Sequence, residues 1–161
     1  MTSTLAASQQ EDHVVLLDSV PFPASDAAEP FIVASAGRVI LSYPISEANF
    51  ETFGPFDSDD DPFCAVLFPD TVFYRLGPPG RADLEIHPLA LQGLAADSVH
   101  EVMNSSLAGE LASVTRSEPA RRHFIITFQD ATFECVASDY TVVGVYGAGE
   151  IASREAFSLV R

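Results

Sequence analysis

The stretch RRHFIITFQDATFECVAS, residues 121–138, brings a histidine, an aspartate, a glutamate and a cysteine close together in the chain. A thiol beside an imidazole can act as an activated nucleophile, and a histidine beside a carboxylate can move protons. Either chemistry requires the two side chains to share a face. The stretch reads as strand, turn, strand, and placing Asp130-Ala131 at the turn sets Phe128 against Phe133, Ile126 against Cys135 and Phe124 against Ala137. That face is wholly apolar. The other carries Gln129 with Thr132, Thr127 with Glu134, Ile125 with Val136 and His123 with Ser138. A one-residue slip would mix the two sets, so the separation supports the hairpin. Cys135 is then a small hydrophobe with a raised pKa, and His123 on the opposite face is no base for it. His123, Thr127 and Glu134 are expected on a solvated face.

A second candidate is DSDDD, where Asp57, Asp59 and Asp61 have the alternate spacing of the first ligands of an EF-hand loop. The match ends there. Pro62 stands where the loop needs a glycine, and Phe68 where it needs a bidentate glutamate. The stretch is expected to be a solvated acidic loop, with no metal held. His13, His87, His100 and His123 are scattered, without the H-E-x-x-H spacing of a zinc site. Two cysteines, Cys64 and Cys135, form neither a CxxC motif nor a disulfide framework. No nucleophile elbow, P-loop or dinucleotide fingerprint occurs, and a chain without lysine has no Schiff-base chemistry. No catalytic residue and no cofactor are assigned.

The run HFIITFQDATFECVA, His123–Ala137, resembles a segment of small bacterial proteins of uncharacterised function. The resemblance carries no activity to this chain.

Residues 1–12 are small and polar, which suggests a tail ahead of one α+β domain over residues 13–161. HVVLLDSV reads as a first strand, and PFPASDAAEP stops it with three prolines. FIVASAGRVILSYP is a hairpin about Ala36-Gly37, ISEANFETFG holds a turn or two of helix, and FCAVLFPDTVFYRLG is a second strand pair about Pro69-Asp70. ADLEIHPL alternates as a strand with one wet face. Ser98 and Glu101 form a capping box, and Val99, Met103, Leu107, Leu111 and Val114 follow at helical spacing, so an amphipathic helix is expected over about 98–115. DYTVVGVYG is a further strand, and EIASREAFSLVR closes the chain as helix or strand. Hairpins joined by short turns, plus this helix, predict an antiparallel β-sheet packed against it, an α+β fold.

All eight basic residues are arginine against 23 acidic ones, a net charge of −15. Such a surface repels nucleic-acid phosphates and anionic membranes and attracts a basic protein. No apolar run is long enough for a membrane span, and the N-terminus lacks a signal-peptide pattern, so a cytoplasmic location is expected. The reading is a non-enzymatic interaction protein of the immunity-protein or inhibitor type, binding through Asp57, Asp59, Asp60, Asp61, His123 and Glu134. A small-molecule binder or enzyme with a pocket between sheet and helix is the alternative.

Overall fold

RVILSYP and FCAVLFP are apolar at nearly every position, a pattern that suits strands covered on both faces. The computed structural model describes residues 11–26, 29–116 and 121–161 and contains two antiparallel sheets. Strands β1 (His13–Leu16), β5 (Phe73–Gly77), β6 (Val99–Met103), β7 (Arg122–Thr127) and β8 (Thr132–Ala137) form one, in the order β1-β6-β7-β8-β5. Strands β2 (Phe31–Ser35), β3 (Arg38–Pro44), β4 (Phe63–Pro69) and β9 (Thr141–Tyr146) form the other, in the order β2-β3-β4-β9. Helices α1 (Phe50–Phe53), α2 (Ser106–Thr115) and α3 (Gly149–Leu159) complete the α+β fold.

The sheets pack face to face. Leu41, Tyr43, Val66 and Phe68 of the four-stranded sheet meet Val99, Phe124, Ile126, Phe133 and Cys135 of the five-stranded one in a single core. Phe68 ties the layers together, its ring 5.5 Å from Phe124 and 5.4 Å from Phe133. Each such aromatic pair adds about 1 kcal/mol beyond the area it buries. On the far side of the four-stranded sheet, Ala156 of α3 packs against Ile40, Ala65 and Val33. The far side of the five-stranded sheet is covered by residues 81–97, whose Leu89 and Leu94 rest on Val14, Val102 and Ile125, and by the start of α2. The result is four layers, with the central strands β3, β4, β7 and β8 covered on both faces.

That layering corrects the expectation of a wet hairpin face. His123, Ile125 and Thr127 are as buried as Phe124 and Ile126 on the other side. The hairpin register is also shifted by two residues, with Phe124 opposite Cys135 and Ile126 opposite Phe133, and residues 128–131 forming a wider turn closed by Phe128 N donating to Ala131 O at 2.8 Å. A shift of two preserves the faces, so Cys135 stays on the apolar side.

Three further expectations change. The helix over 98–115 begins only at Ser106, because Val99–Met103 pairs with β1 and β7 as a central strand. Val99 and Val102 are buried there, while Met103 and Val114 of the expected helical stripe are exposed. Sheet pairing overrides a local capping signal of about 1 kcal/mol. The pair expected about Pro69-Asp70 separates, β4 staying in one sheet while β5 crosses to β8 in the other. ADLEIHPL is a pair of 3-10 turns over Arg81–Ile86, with Ile86 exposed. The hairpin about Ala36-Gly37 forms with Gly37 at φ 76, a left-handed turn position that favours glycine. EIASREAFSLVR closes the chain as α3. Most of the tail expected over 1–12 lies outside the described residues; Asp12 itself accepts from Ser106 N at 2.7 Å and from the Ser106 hydroxyl at 2.9 Å. Among the described residues no helix is long and apolar enough to cross a membrane.

Candidate functional site

The strands that carry His123 and Glu134 aim both at the outer face of the five-stranded sheet, where three more polar side chains converge. His123 Nε2 lies 2.6 Å from Glu134 Oε1, and its Nδ1 lies 2.7 Å from the Ser105 hydroxyl. Ser105 caps α2 by accepting from Ala108 N at 3.0 Å, which leaves its own proton for His123 Nδ1. His87, on the 81–97 segment, turns Nε2 toward Glu134 Oε2 at 3.6 Å, while its Nδ1 accepts from Leu89 N at 3.0 Å. His100, on β6, accepts from Ala95 N through Nε2 at 3.1 Å and donates through Nδ1 to Ile125 O at 3.0 Å. The hydrogen-bond pattern thus assigns one proton each to His87 and His100, on Nε2 and Nδ1 respectively.

Burial opposes ionisation of Glu134, but the hydrogen bonds from His123 and then His87 outweigh it and hold the carboxyl down to about 2. His100 is pushed below the ordinary histidine value by burial, with the nearby His87 adding to the effect and the Ile125 carbonyl opposing it. Serine, histidine and glutamate in line are the parts of an acyl-transfer relay. Here the serine oxygen is committed to the helix cap and the His123 side chain is 1% exposed. The line therefore fastens α2 to the sheet. Among the described residues, no group of three or more His, Cys, Asp or Glu is placed to hold a metal ion.

The acidic loop contributes to a different place. Asp60 and Asp61 line an open cleft of about 680 Å³ together with Asp26 and Glu47. Ile45 and Phe50 give it an apolar floor, and among the described residues that line it there is no arginine. The bridge of Pro23 to Ile45 positions the Asp26 side, and Ser46, accepting from Ala48 N at 3.4 Å, starts the turn that presents Glu47. Asp57 N donates to Asp60 Oδ2 at 2.7 Å, which folds the loop back on itself. Asp57 and Asp59 are exposed beside the cleft and are not part of its wall.

The six residues read from sequence as a binding set therefore fall in two places. Asp60 and Asp61 sit in an acidic cleft with Asp57 and Asp59 next to it, whereas His123 and Glu134 belong to a buried network. His123, 2% exposed, presents nothing to a partner. Sequence reasoning missed His87, His100 and Ser105, and also Asp26 and Glu47. Ile125 and Val136, apolar residues on the face assigned to solvent, were the signal that the face is covered. The arginine pair is engaged internally: Arg122 donates to both oxygens of Glu101 at 2.7 and 2.9 Å and to Asp139 at 2.7 Å, and Arg121 Nε donates to Asp70 O at 2.7 Å.

No family model, curated protein or solved structure matches this chain.

Both thiols lie in the core between the sheets. Burial pushes Cys64 up to about 12, against a lowering hydrogen bond with Tyr43, and pushes Cys135 well above its ordinary value, with the Glu134 charge adding to the rise. Thiolate is the reactive form. Neither cysteine should label with a thiol reagent at neutral pH in the native protein, and both should label rapidly in denaturant. Prompt native labelling of Cys135 would place it outside the core and remove the hairpin register.

Proposed function

We propose that the chain is a non-enzymatic interaction protein that binds a basic protein partner, and that the acidic cleft receives the partner's cationic side chains. One observation carries this reading: four carboxylates, Asp26, Glu47, Asp60 and Asp61, line a cleft whose floor holds Ile45 and Phe50. The long aliphatic stem of an arginine or lysine packs on such a floor while its head meets carboxylates. A chain charge of −15 steers a basic partner toward the molecule before docking. An immunity protein or a protein inhibitor works in this way, and reduced, buried thiols suit a cytoplasmic one.

The test uses a fluorescent arginine-rich peptide as the probe, with anisotropy read at low and moderate salt. Asp60→Asn with Asp61→Asn should weaken binding about tenfold or more, since desolvated charge pairs at an interface carry about 1.5 kcal/mol or more each. Asp83→Asn with Glu85→Gln removes the same charge from an exposed site on the 81–97 segment and should change affinity little. Equal losses in the two double variants would mean that only the overall charge attracts the peptide, and the cleft reading would fall.

A further inference from the structure

The four carboxylates that line the acidic cleft are not held alike. Glu47 rides on the turn that Ser46 starts. Asp60 Oδ2 accepts from Asp57 N, and Asp61 precedes Pro62, whose carbonyl accepts from Ile45 N at 3.0 Å. Asp26 has no such anchor. Among the described residues it makes no hydrogen bond or ion pair. The last fixed points before it are Ala24 N, which donates to Pro44 O at 2.9 Å, and the Ser25 carbonyl, which accepts from Arg81 Nη2 at 2.7 Å.

Arg81 reaches that carbonyl from outside the cleft, since Ser25 lines the cleft and Arg81 does not. Arg81 is itself firmly seated. Its backbone N donates to Gln129 O at 2.7 Å, directly after Gly80, where a Cβ would come within 2.7 Å of the same oxygen. The side-chain nitrogen that bonds Ser25 also donates to Asp97 Oδ1 at 2.8 Å. Asp97 leads into Ser98, whose N donates to Thr127 Oγ1 on β7 at 3.0 Å. A line of bonds thus runs from the five-stranded sheet through Asp97 and Arg81 to the residue before Asp26. The Arg81 and Asp97 side chains are 38% and 20% exposed, and a pair so open to water adds little to stability. Its effect is to fix the direction of the Ser25 carbonyl, and with it the chain entering Asp26.

We propose that Arg81 is a positioning residue for the acidic cleft, holding the Ser25 carbonyl so that the Asp26 carboxylate stands at the cleft wall before a partner arrives, a role that rests on the cleft's receiving a basic partner's side chains. A site whose groups are already in place loses less freedom on binding, so affinity rises without any new contact. Arg81 touches no partner in this role. Its charge works the other way. A cation beside the cleft repels a basic partner, and removing it also leaves Asp97 without its cation, which makes the surroundings more negative. Electrostatics alone therefore predicts tighter binding without Arg81, and positioning predicts weaker.

The same arginine-rich peptide, followed by anisotropy with the whole chain, separates the two. Arg81→Ala should weaken peptide binding about fivefold, the low end of what fixing one residue's backbone costs. Arg81→Met keeps much of the aliphatic stem, loses the donors and should weaken binding equally. In the Asp26→Asn background Arg81→Ala should cost nothing further, because the carboxylate that it places has gone. Equal or tighter binding by both Arg81 variants, beside weaker binding by Asp60→Asn with Asp61→Asn, would overturn the positioning role and leave the cleft standing. A loss that persists undiminished in the Asp26→Asn background would overturn it too, since Arg81 would then act through some other group. Unfolding of both Arg81 variants would make the residue a structural one and end the proposal as well. A peptide indifferent to Asp60 and Asp61 would remove the cleft itself, and this role with it.

Discussion

Replacing Glu134 with alanine is expected to destabilise the protein by about 3–5 kcal/mol at neutral pH, the cost of removing one partner from a buried charged network. Its carboxylate is 12% exposed and takes a 2.6 Å bond from His123 and a longer approach from His87. Without it, the His123 Nε2–H stays buried under the 81–97 segment with no acceptor, and His87 loses its carboxylate neighbour. Glu134→Gln keeps one oxygen for His123 and should cost less. The same carboxylate predicts a pH dependence. Folded, it titrates at about 2, against an ordinary 4.5. The folded state therefore has its full advantage from this group above pH 4.5 and loses it as the pH falls toward 2. That amounts to about 3 kcal/mol lost across this window. His100 has a lowered pKa too, so its contribution is complete above its ordinary 6.5 and declines as the pH falls below it. Urea melts at successive pH values should show stability falling in two stages in the parent, and only the upper stage in Glu134→Gln. A parent whose stability is flat from pH 4.5 to 3 would mean that Glu134 is not held ionised by the histidines.

The sequence carried the strands better than their partners. The hairpin at Ala36-Gly37 and the two strands of the opening stretch were legible because turn chemistry and face separation are local. Sheet membership was not. FCAVLFP and VFYRLG read as one hairpin, yet the Pro69-Asp70 corner sends them to different sheets, where Ser138 N donates to Pro69 O at 3.0 Å and Val72 N to Val136 O at 2.9 Å. Those partners lie far along the chain. VHEVM was overruled by its neighbour's cap: Ser98 and Glu101 match a capping box, but Ser98 N instead donates to Thr127 Oγ1 at 3.0 Å within the sheet. The polar network was hidden for the same reason. His87, His100, Ser105, His123 and Glu134 come from four separate stretches of chain, and no spacing within any of them announces the contact. The cleft was half legible, since a run of aspartates marks Asp60 and Asp61, while Asp26 and Glu47 are brought to it by the pairing of residues 22–24 with 44–46.

Ile126→Asp and Thr127→Asp should both disable folding, although the two side chains point to opposite faces of β7. Ile126 is 0% exposed, set opposite Phe133 in the core between the sheets. An aspartate there would bury a carboxylate without a partner at a cost of several kcal/mol, comparable with the whole stability of a typical domain. Thr127 is 1% exposed on the outer face, where its hydroxyl accepts from Ser98 N at 3.0 Å and donates to Ala95 O at 2.7 Å. A carboxylate could accept from Ser98 but would meet the Ala95 carbonyl, acceptor against acceptor, beneath the covering segment. Thr127→Val keeps the shape and loses both bonds, and should cost about 1–3 kcal/mol, mostly for the stranded Ser98 N–H. Denaturant melts of the three variants rank the faces. A mild Thr127→Asp beside a severe Ile126→Asp would be the signature of a hairpin with one face in water. Comparable damage from both aspartates requires the outer face to be sealed, because only a sealed face charges a full desolvation cost to a residue that is polar to begin with. The Thr127→Asp result thus tests the covering layer itself, since the core between the sheets is out of that side chain's reach.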